Sequence, residues 1–214
     1  MEELIEQKPN GLWWPIKDEK YNNSQFEIVG PTNISSYCNK HNVVVQAGGR
    51  CGTYPILYSK IFKKVYTFEP EDLNFYCMKK NVTQNNIIMK QACLGETFKN
   101  VKVELPAKAT AKKGINIGTY QVAGEGNIAM ITIDSLNLEE CDLIHLDIEG
   151  YEGYALEGAL TTINKFKPAI CVEVNGLGKK FKYPKEKLLN LFDSLDYIHK
   201  DTEGADMLFV HRNM

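Results

Sequence analysis

The sequence predicts an α/β fold, a doubly wound and mostly parallel sheet of about seven strands with an inserted hairpin or flap, and three observations carry that reading. Strand signals alternate with helix-sized segments along most of the 214 residues, and such alternation forces right-handed crossovers and a largely parallel sheet. The run Asn42-Val-Val-Val-Gln-Ala-Gly-Gly-Arg-Cys-Gly52 joins a short β-branched strand to a glycine-rich turn, where the missing Cβ lets backbone approach a ligand closely. The segment Cys141-Asp-Leu-Ile-His-Leu-Asp-Ile-Glu-Gly-Tyr-Glu152 ends a second apolar strand in acids, at the carboxyl end where open α/β sheets hold their ligands.

The elements follow in order. Val43 to Val45 reads as the first central strand, and Thr53 to Ile61 as a crossover helix with Tyr54, Leu57, Tyr58 and Ile61 at helical spacing. Pro55 fits its first turn, where a missing N–H costs little. Val65 to Phe68 is the second strand and Asp72 to Asn81 the next helix, whose buried side holds Leu73, Phe75, Tyr76, Cys77 and Met78. Ile87 to Leu94 is a third strand, Leu143 to Ile148 a fourth, Gly153 to Asn164 a helix and Ala169 to Val174 a fifth strand. Lys185 to Leu195 reads as a helix and Met207 to His211 as the final strand.

Two stretches leave the alternation. Residues 96–130 carry Lys108, Lys112, Lys113 and strand-like pieces at Val101-Lys-Val103 and Ile115-Asn-Ile117, which predicts an inserted hairpin or flap of the kind that is often functional. Residues 1–40 carry Trp13-Trp14-Pro15 and the turn-rich Tyr21-Asn-Asn-Ser24. The two tryptophans are expected to anchor this segment onto the core formed by 41–214, because large aromatics supply much burial energy. The same pair could equally seal a contact between two copies of the chain.

Composition narrows the function. A chain of this length with 43% hydrophobic residues buries one sizeable core. The net charge of −2, with Lys-Lys pairs scattered among acids, gives no electrostatic footprint for nucleic acid. Six cysteines at 38, 51, 77, 93, 141 and 171 lack the paired spacing of a zinc site and read as free thiols in a reducing compartment. The amino terminus lacks the basic start and apolar run of a signal peptide, and no stretch approaches the roughly 20 apolar residues that span a bilayer. A cytoplasmic protein without membrane partners is the expectation.

Glu69 lies 21 positions after Gly48, close to the roughly 20 at which a carboxylate grips ribose hydroxyls beyond a glycine turn. An ordinary βα turn followed by a surface acid is the plain alternative. Taken with the acids after Leu146, the pattern predicts a site for an adenosine-bearing cofactor.

The ordered set of Val43 to Gly52, Tyr66-Thr-Phe-Glu-Pro70, Asn81, Ala92-Cys-Leu-Gly95, Ile133-Asp-Ser-Leu136, Ile144-His-Leu-Asp-Ile-Glu-Gly-Tyr-Glu152, Leu156-x-Gly158-Ala159 and Pro168-Ala-Ile-Cys-Val-Glu173 resembles the FkbM family of S-adenosylmethionine-dependent methyltransferases, with a class I, Rossmann-like fold. The resemblance spans about residues 40–175. It implies that Glu69 binds the cofactor ribose, that backbone from Ala47 through Gly48 to Gly52 lies beside its methionine part, and that Cys93 and Leu94 lie near adenine. Gln46 stands where the family commonly has an acid holding the cofactor amino group, and accepts a hydrogen bond without the ionic component. His145 stands where relatives often carry lysine; a buried, hydrogen-bonded ring is the expected state, with a proton acceptor as the alternative.

Alternation places His145, Asp147 and Glu149 on one side of their strand as far as it stays extended. Asp147 is the candidate for positioning the methyl acceptor or taking its proton, and it also borders the cofactor; Glu149 and Glu173 would orient the acceptor. An unperturbed carboxylate is too weak a base for a sugar hydroxyl, so a raised pKa or a metal is required. Asp147, Glu173 and Asn175 supply oxygen ligands suited to Mg²⁺. The expected activity is O-methylation of a hydroxyl on a sugar or related small metabolite. Two other readings stay open: a nicotinamide-dependent oxidoreductase, disfavoured by the Gly-x-x-x-Gly spacing, and a non-catalytic binding module whose cofactor pocket has decayed.

Overall fold

The computed structural model describes residues 1–19, 29–107 and 115–213. Its strands are β1 (Ile5–Gln7), β2 (Trp13–Pro15), β3 (Val43–Ala47), β4 (Lys64–Phe68), β5 (Ile87–Lys90), β6 (Cys93–Leu94), β7 (Lys99–Glu104), β8 (Gln121–Glu125), β9 (Ile128–Ile131), β10 (Leu143–Leu146), β11 (Ala169–Glu173), β12 (Tyr197–Glu203) and β13 (Asp206–His211). Its helices are α1 (Val29–Ser35), α2 (Thr53–Tyr58), α3 (Asp72–Asn81), α4 (Glu152–Glu157), α5 (Leu160–Phe166) and α6 (Lys185–Ser194).

Seven strands form the main sheet in the order β12-β13-β11-β10-β3-β4-β5. The five from β11 to β5 run parallel, while β13 is antiparallel to both its neighbours. Val44, Leu143, Ile144, Leu146, Ala169, Ile170 and Val172 are fully buried, as expected of strands covered on both faces. The order changes direction between β3 and β10, so the loops after these two strands diverge and leave a crevice at their carboxyl ends.

Several expected elements have different limits. The third strand is two: β5 stays beside β4, and after Gln91 and Ala92 the chain crosses to pair β6 with β9 in a separate four-stranded sheet, ordered β6-β9-β7-β8. The helix expected over 153–164 breaks at Gly158 and Ala159, because the Asp134 carboxylate accepts from the N–H groups of Thr161 and Thr162 and starts α5 afresh. Strand β12 has an exposed, polar face, which hid its signal. Within the insertion, Lys99–Glu104 is a strand, but Ile115-Asn-Ile117 is not. Asn116 accepts from Gly118 N at 3.0 Å and turns the chain into a short 3-10 helix, Ile117–Thr119. Lys108, Lys112, Lys113 and the turn-rich Tyr21 to Ser24 lie outside the described residues.

Helix α3 has the expected bounds. Glu71 caps it by accepting from Asn74 N at 2.7 Å, and Lys79 and Lys80 end it, opposing the helix dipole at each terminus. The hairpin β1-β2 lies on α3. Trp14 is fully buried against Cys51, Leu73 and Cys77, and Asn81 bonds both the N–H and the carbonyl of Trp13. Trp14 is therefore occupied within its own chain. Among the described residues no helix is long and apolar enough to cross a membrane, and all six cysteines are free and buried.

Candidate active site

The turns after β3, β4 and β10 meet over a cavity of about 280 Å³. The carbonyl of Phe68 accepts from both Gly48 N, at 3.1 Å, and Gly49 N, at 2.9 Å, which folds the glycine turn over the end of β4. Gly48 has φ 86°, and a Cβ there would overlap the carbonyl oxygen of Asp147. Only glycine satisfies both demands. The turn thus leans on the end of β10 and presents backbone to the cavity.

Glu69 is a buried wall of that cavity, so the surface-acid alternative does not hold. Its Oε2 accepts from Arg50 N at 2.7 Å and its Oε1 from Glu71 N at 3.0 Å and Asn74 Nδ2 at 3.3 Å. Burial pushes its pKa up to about 7 against the pull of these donors. Three of about four lone-pair directions are occupied, leaving Oε2 able to accept one more donor.

Across the cavity stand Asp147, Glu149 and Glu173, with one oxygen from each lying within 4.8 Å of the others. Strand β10 ends at Leu146, and Glu149 at φ 58° and Gly150 at φ 102° turn the chain, so alternation does not reach Glu149. Glu152 holds that turn, its Oε1 accepting from Ile148 N at 2.9 Å and Gly150 N at 3.1 Å. Burial, then the neighbouring charges of Asp147 and Glu152, raise Glu149 to about 8. Burial, then Asp147 and Glu149, raise Glu173 to about 9, and burial also raises Asp147. Carboxylates this close titrate as a group, since full ionisation would crowd like charges in a poorly solvated place.

Ala47, Gly48, Glu69, Cys93, Leu94, Asp147, Glu149 and Glu173 all line the cavity; Gln46, Gly52, His145 and Asn175 do not. Gln46 is fully buried within the sheet, accepting from Thr67 Oγ1 at 2.6 Å and donating to the Ala47 carbonyl at 3.1 Å. Gly52 precedes α2 at φ 99° and faces Val82 and Met78. His145 sits between Tyr54 and Tyr58, its Nδ1 3.0 Å from the Tyr58 hydroxyl, and burial lowers its pKa to about 4. Asn175 donates to Glu173 at 2.5 Å, and its own oxygen accepts from Leu177 N at 2.9 Å in a separate shallow depression. Asp147, Glu149 and Glu173 form the carboxylate cluster, with Asn175 beside it through Glu173 and outside the cavity.

Sequence reasoning missed Arg50, Asn74, Asn116, Tyr120 and Tyr151, all of which line the cavity. Arg50 stands in the glycine turn itself and was legible there. Its Nη2 donates to Asp18 at 2.5 Å and to Asn116 at 3.3 Å, and its guanidinium lies 4.9 Å from the Trp14 ring. Trp14 Nε1 donates to the same Asp18 carboxylate at 2.6 Å. Asn116 and Tyr120 carried no sequence signal, because their place depends on how the insertion returns over the core. It returns through Asn74 Nδ2 to the Ile117 carbonyl, 3.2 Å, and through Glu19 N to the Ile115 carbonyl, 2.9 Å.

Comparison with known proteins follows this geometry. No curated protein matches the chain. A solved FkbM methyltransferase from Methylobacillus flagellatus superposes with TM-score 0.52 at 19% identity, over 79% of this chain and 43% of that one; this chain thus spans less than half of that protein's length. A ribosomal protein L11 methylase from Lactobacillus delbrueckii gives TM-score 0.46 at 11% identity over 89% and 80% of the two chains. The AdoMet complex of TYW2 from M. jannaschii gives 0.42 at 14% over 96% and 82%. The sequence profile of the methyltransferase FkbM domain matches residues 49–207, and the chain belongs to this family of methyltransferases.

Proposed function

We propose that the protein transfers a methyl group from S-adenosylmethionine to the oxygen of a small hydroxyl acceptor such as a sugar. The observation that carries this reading is one cavity lined by Glu69, the glycine turn and three clustered carboxylates. The cofactor fits what is present: a glycine turn at Gly48 where a Cβ would overlap the Asp147 carbonyl, a fixed carboxylate with an acceptor to spare, and the apolar side chains of Phe68, Ala92 and Leu94. Glu69 would hold the ribose, Cys93 and Leu94 the adenine, and the turn the methionine part. Bound there, S-adenosylmethionine supplies an electrophilic methyl on a sulfonium.

The remaining chemistry belongs to the chain. Asp147 borders the glycine turn and is the carboxylate placed to orient the acceptor. Glu149 and Glu173, raised toward and above neutral pH, meet the requirement that an ordinary carboxylate fails, because a proton acceptor works best with a pKa near the operating pH. The same acids also form an oxygen set suited to Mg²⁺, which makes metal-assisted transfer the second reading. A rate unchanged after EDTA treatment eliminates it. Family membership displaces the nicotinamide reading. Gln46 is turned into the sheet and does not line the cavity, so the decayed-module reading is decided by cofactor binding. Six buried free thiols accord with a reducing compartment, and we place the protein in the cytoplasm with a small-molecule partner.

The test is calorimetric titration with S-adenosylhomocysteine of the protein and of Glu69→Ala. Loss of a charge-assisted hydrogen bond worth about 1.5–3 kcal/mol should weaken binding by about 10- to 100-fold. Equal affinity in the two proteins, or no binding to either, overturns the assignment.

A further inference from the structure

Behind the acid cluster lies a set of side chains that methyl transfer does not use. Strands β10 and β11 place His145 in register with Cys171, and β11 and β13 place Glu173 opposite Asp206. Paired residues, and residues two apart on one strand, share a sheet face. Topology therefore brings a ring nitrogen, a thiol and a carboxylate together on the face covered by α2. One ligand atom from each lies within 4.8 Å of the others. Cys171 and Asp206 also line a cavity of about 120 Å³ beside Tyr54, with Asp201 and Glu203 at its rim, giving an ion a way in.

We propose that His145, Cys171 and Asp206 form a binding site for a transition-metal dication of the zinc type. Nitrogen, sulfur and one oxygen make a donor set that suits zinc and does not suit Mg²⁺. Zinc bonds of 2.0–2.3 Å in a tetrahedron separate ligand atoms by about 3.5 Å, so donors already within 4.8 Å of one another need close by no more than about 1.3 Å. The Tyr58 hydroxyl lies 3.0 Å from His145 Nδ1, the kind of outer partner that holds metal-bound histidine rings in place. On binding, the Cys171 S–H bond breaks, a metal–sulfur bond forms, and the proton passes to buffer. Three protein ligands leave a fourth position open toward the small cavity. The site would clamp β10, which leads into Asp147, β11, which carries Glu173, and β13, which pairs with the edge strand β12. It stands independently of the methyl-transfer reading.

The test uses Co²⁺ as a spectroscopic probe on the full chain, with Zn²⁺ in competition. One ion per chain should bind with near-ultraviolet thiolate-to-cobalt charge transfer, displaced by Zn²⁺, with release of a proton. Cys171→Ser should abolish the band and Asp206→Asn should weaken binding by at least about 10-fold, while Tyr58→Phe, which touches no metal, should weaken it by about 10-fold. Should Cys171→Ser fail to fold, the wild-type spectrum and Asp206→Asn, at the partly exposed end of β13, decide. Absence of the band at millimolar Co²⁺ overturns the proposal. So does a band that survives in folded Cys171→Ser, or binding without a band that vanishes in Glu149→Gln, which would put the cation on the acid cluster.

Discussion

Replacing Glu149 with glutamine should change how stability depends on pH. In the folded chain Glu149 has a pKa near 8 rather than 4.5, through burial and then the charges of Asp147 and Glu152. An acid whose folded pKa is raised contributes stability that is complete below its unfolded pKa and is lost as pH rises through the folded one, because over that interval only the native chain keeps the proton. Each unit is worth about 1.4 kcal/mol, so the full interval sets a ceiling of about 5 kcal/mol. Glu149 is partly exposed and shares protons with Asp147 and Glu173, and an effect of about 2 kcal/mol is expected once solvent screening is allowed for. Urea unfolding of ligand-free protein from pH 5 to 9 reads it: Glu149→Gln should match wild type near pH 5 and exceed it by about 2 kcal/mol near pH 9. In thermal scans that is about 4–8 °C for a domain of this size. Parallel curves across the range would refute the assignment of a retained proton to this cluster.

Gly48→Ala forces a side chain into a left-handed backbone position and against the Asp147 carbonyl; unfolding should show a loss of at least about 2 kcal/mol and titration a loss of S-adenosylhomocysteine binding, and a variant normal in both would sink the close-approach argument. Asp18→Asn removes the charge facing Arg50 and should cost about 3 kcal/mol in denaturant unfolding, the lower end for a broken buried pair; an unchanged midpoint would show that the pair is not needed. Asp147→Asn should abolish methyl transfer while S-adenosylhomocysteine affinity stays within a few fold, and retained turnover would remove Asp147 from the chemistry.

Much of this was legible because local chemistry specified it. The β-branched run before Gly48 and the cap-to-lysine pattern of α3 need no distant partner to be read, and Glu69 follows from the distance along one βα unit. The carboxylates at the ends of β10 and β11 were also visible. What failed depended on contacts remote in sequence. Gln46 occupies a strand position whose neighbour, Thr67, takes up its oxygen, and no spacing rule reports that; His145 is the buried, hydrogen-bonded ring that was expected. Asn175 is consumed by its own turn at Leu177. The cysteines were read along the chain for paired spacing, whereas Cys171 meets His145 across strands. Strand β12 is a charged edge, a pattern that guards against pairing with another sheet and conceals the strand from a hydrophobicity reading.

The hairpin β1-β2, which leads into Asp18, precedes α3 and the insertion in sequence. Trp14 therefore lacks its partners Leu73 and Cys77 until α3 exists, and the Asn116 contact must wait for the insertion. Contacts of such long sequence separation form late because their loop-closure entropy is met before they reward it. Since Trp13 and Trp14 are the only tryptophans in the chain, intrinsic fluorescence reports this docking step by itself, and refolding followed at that wavelength times the closing of the cavity rather than the assembly of the sheet.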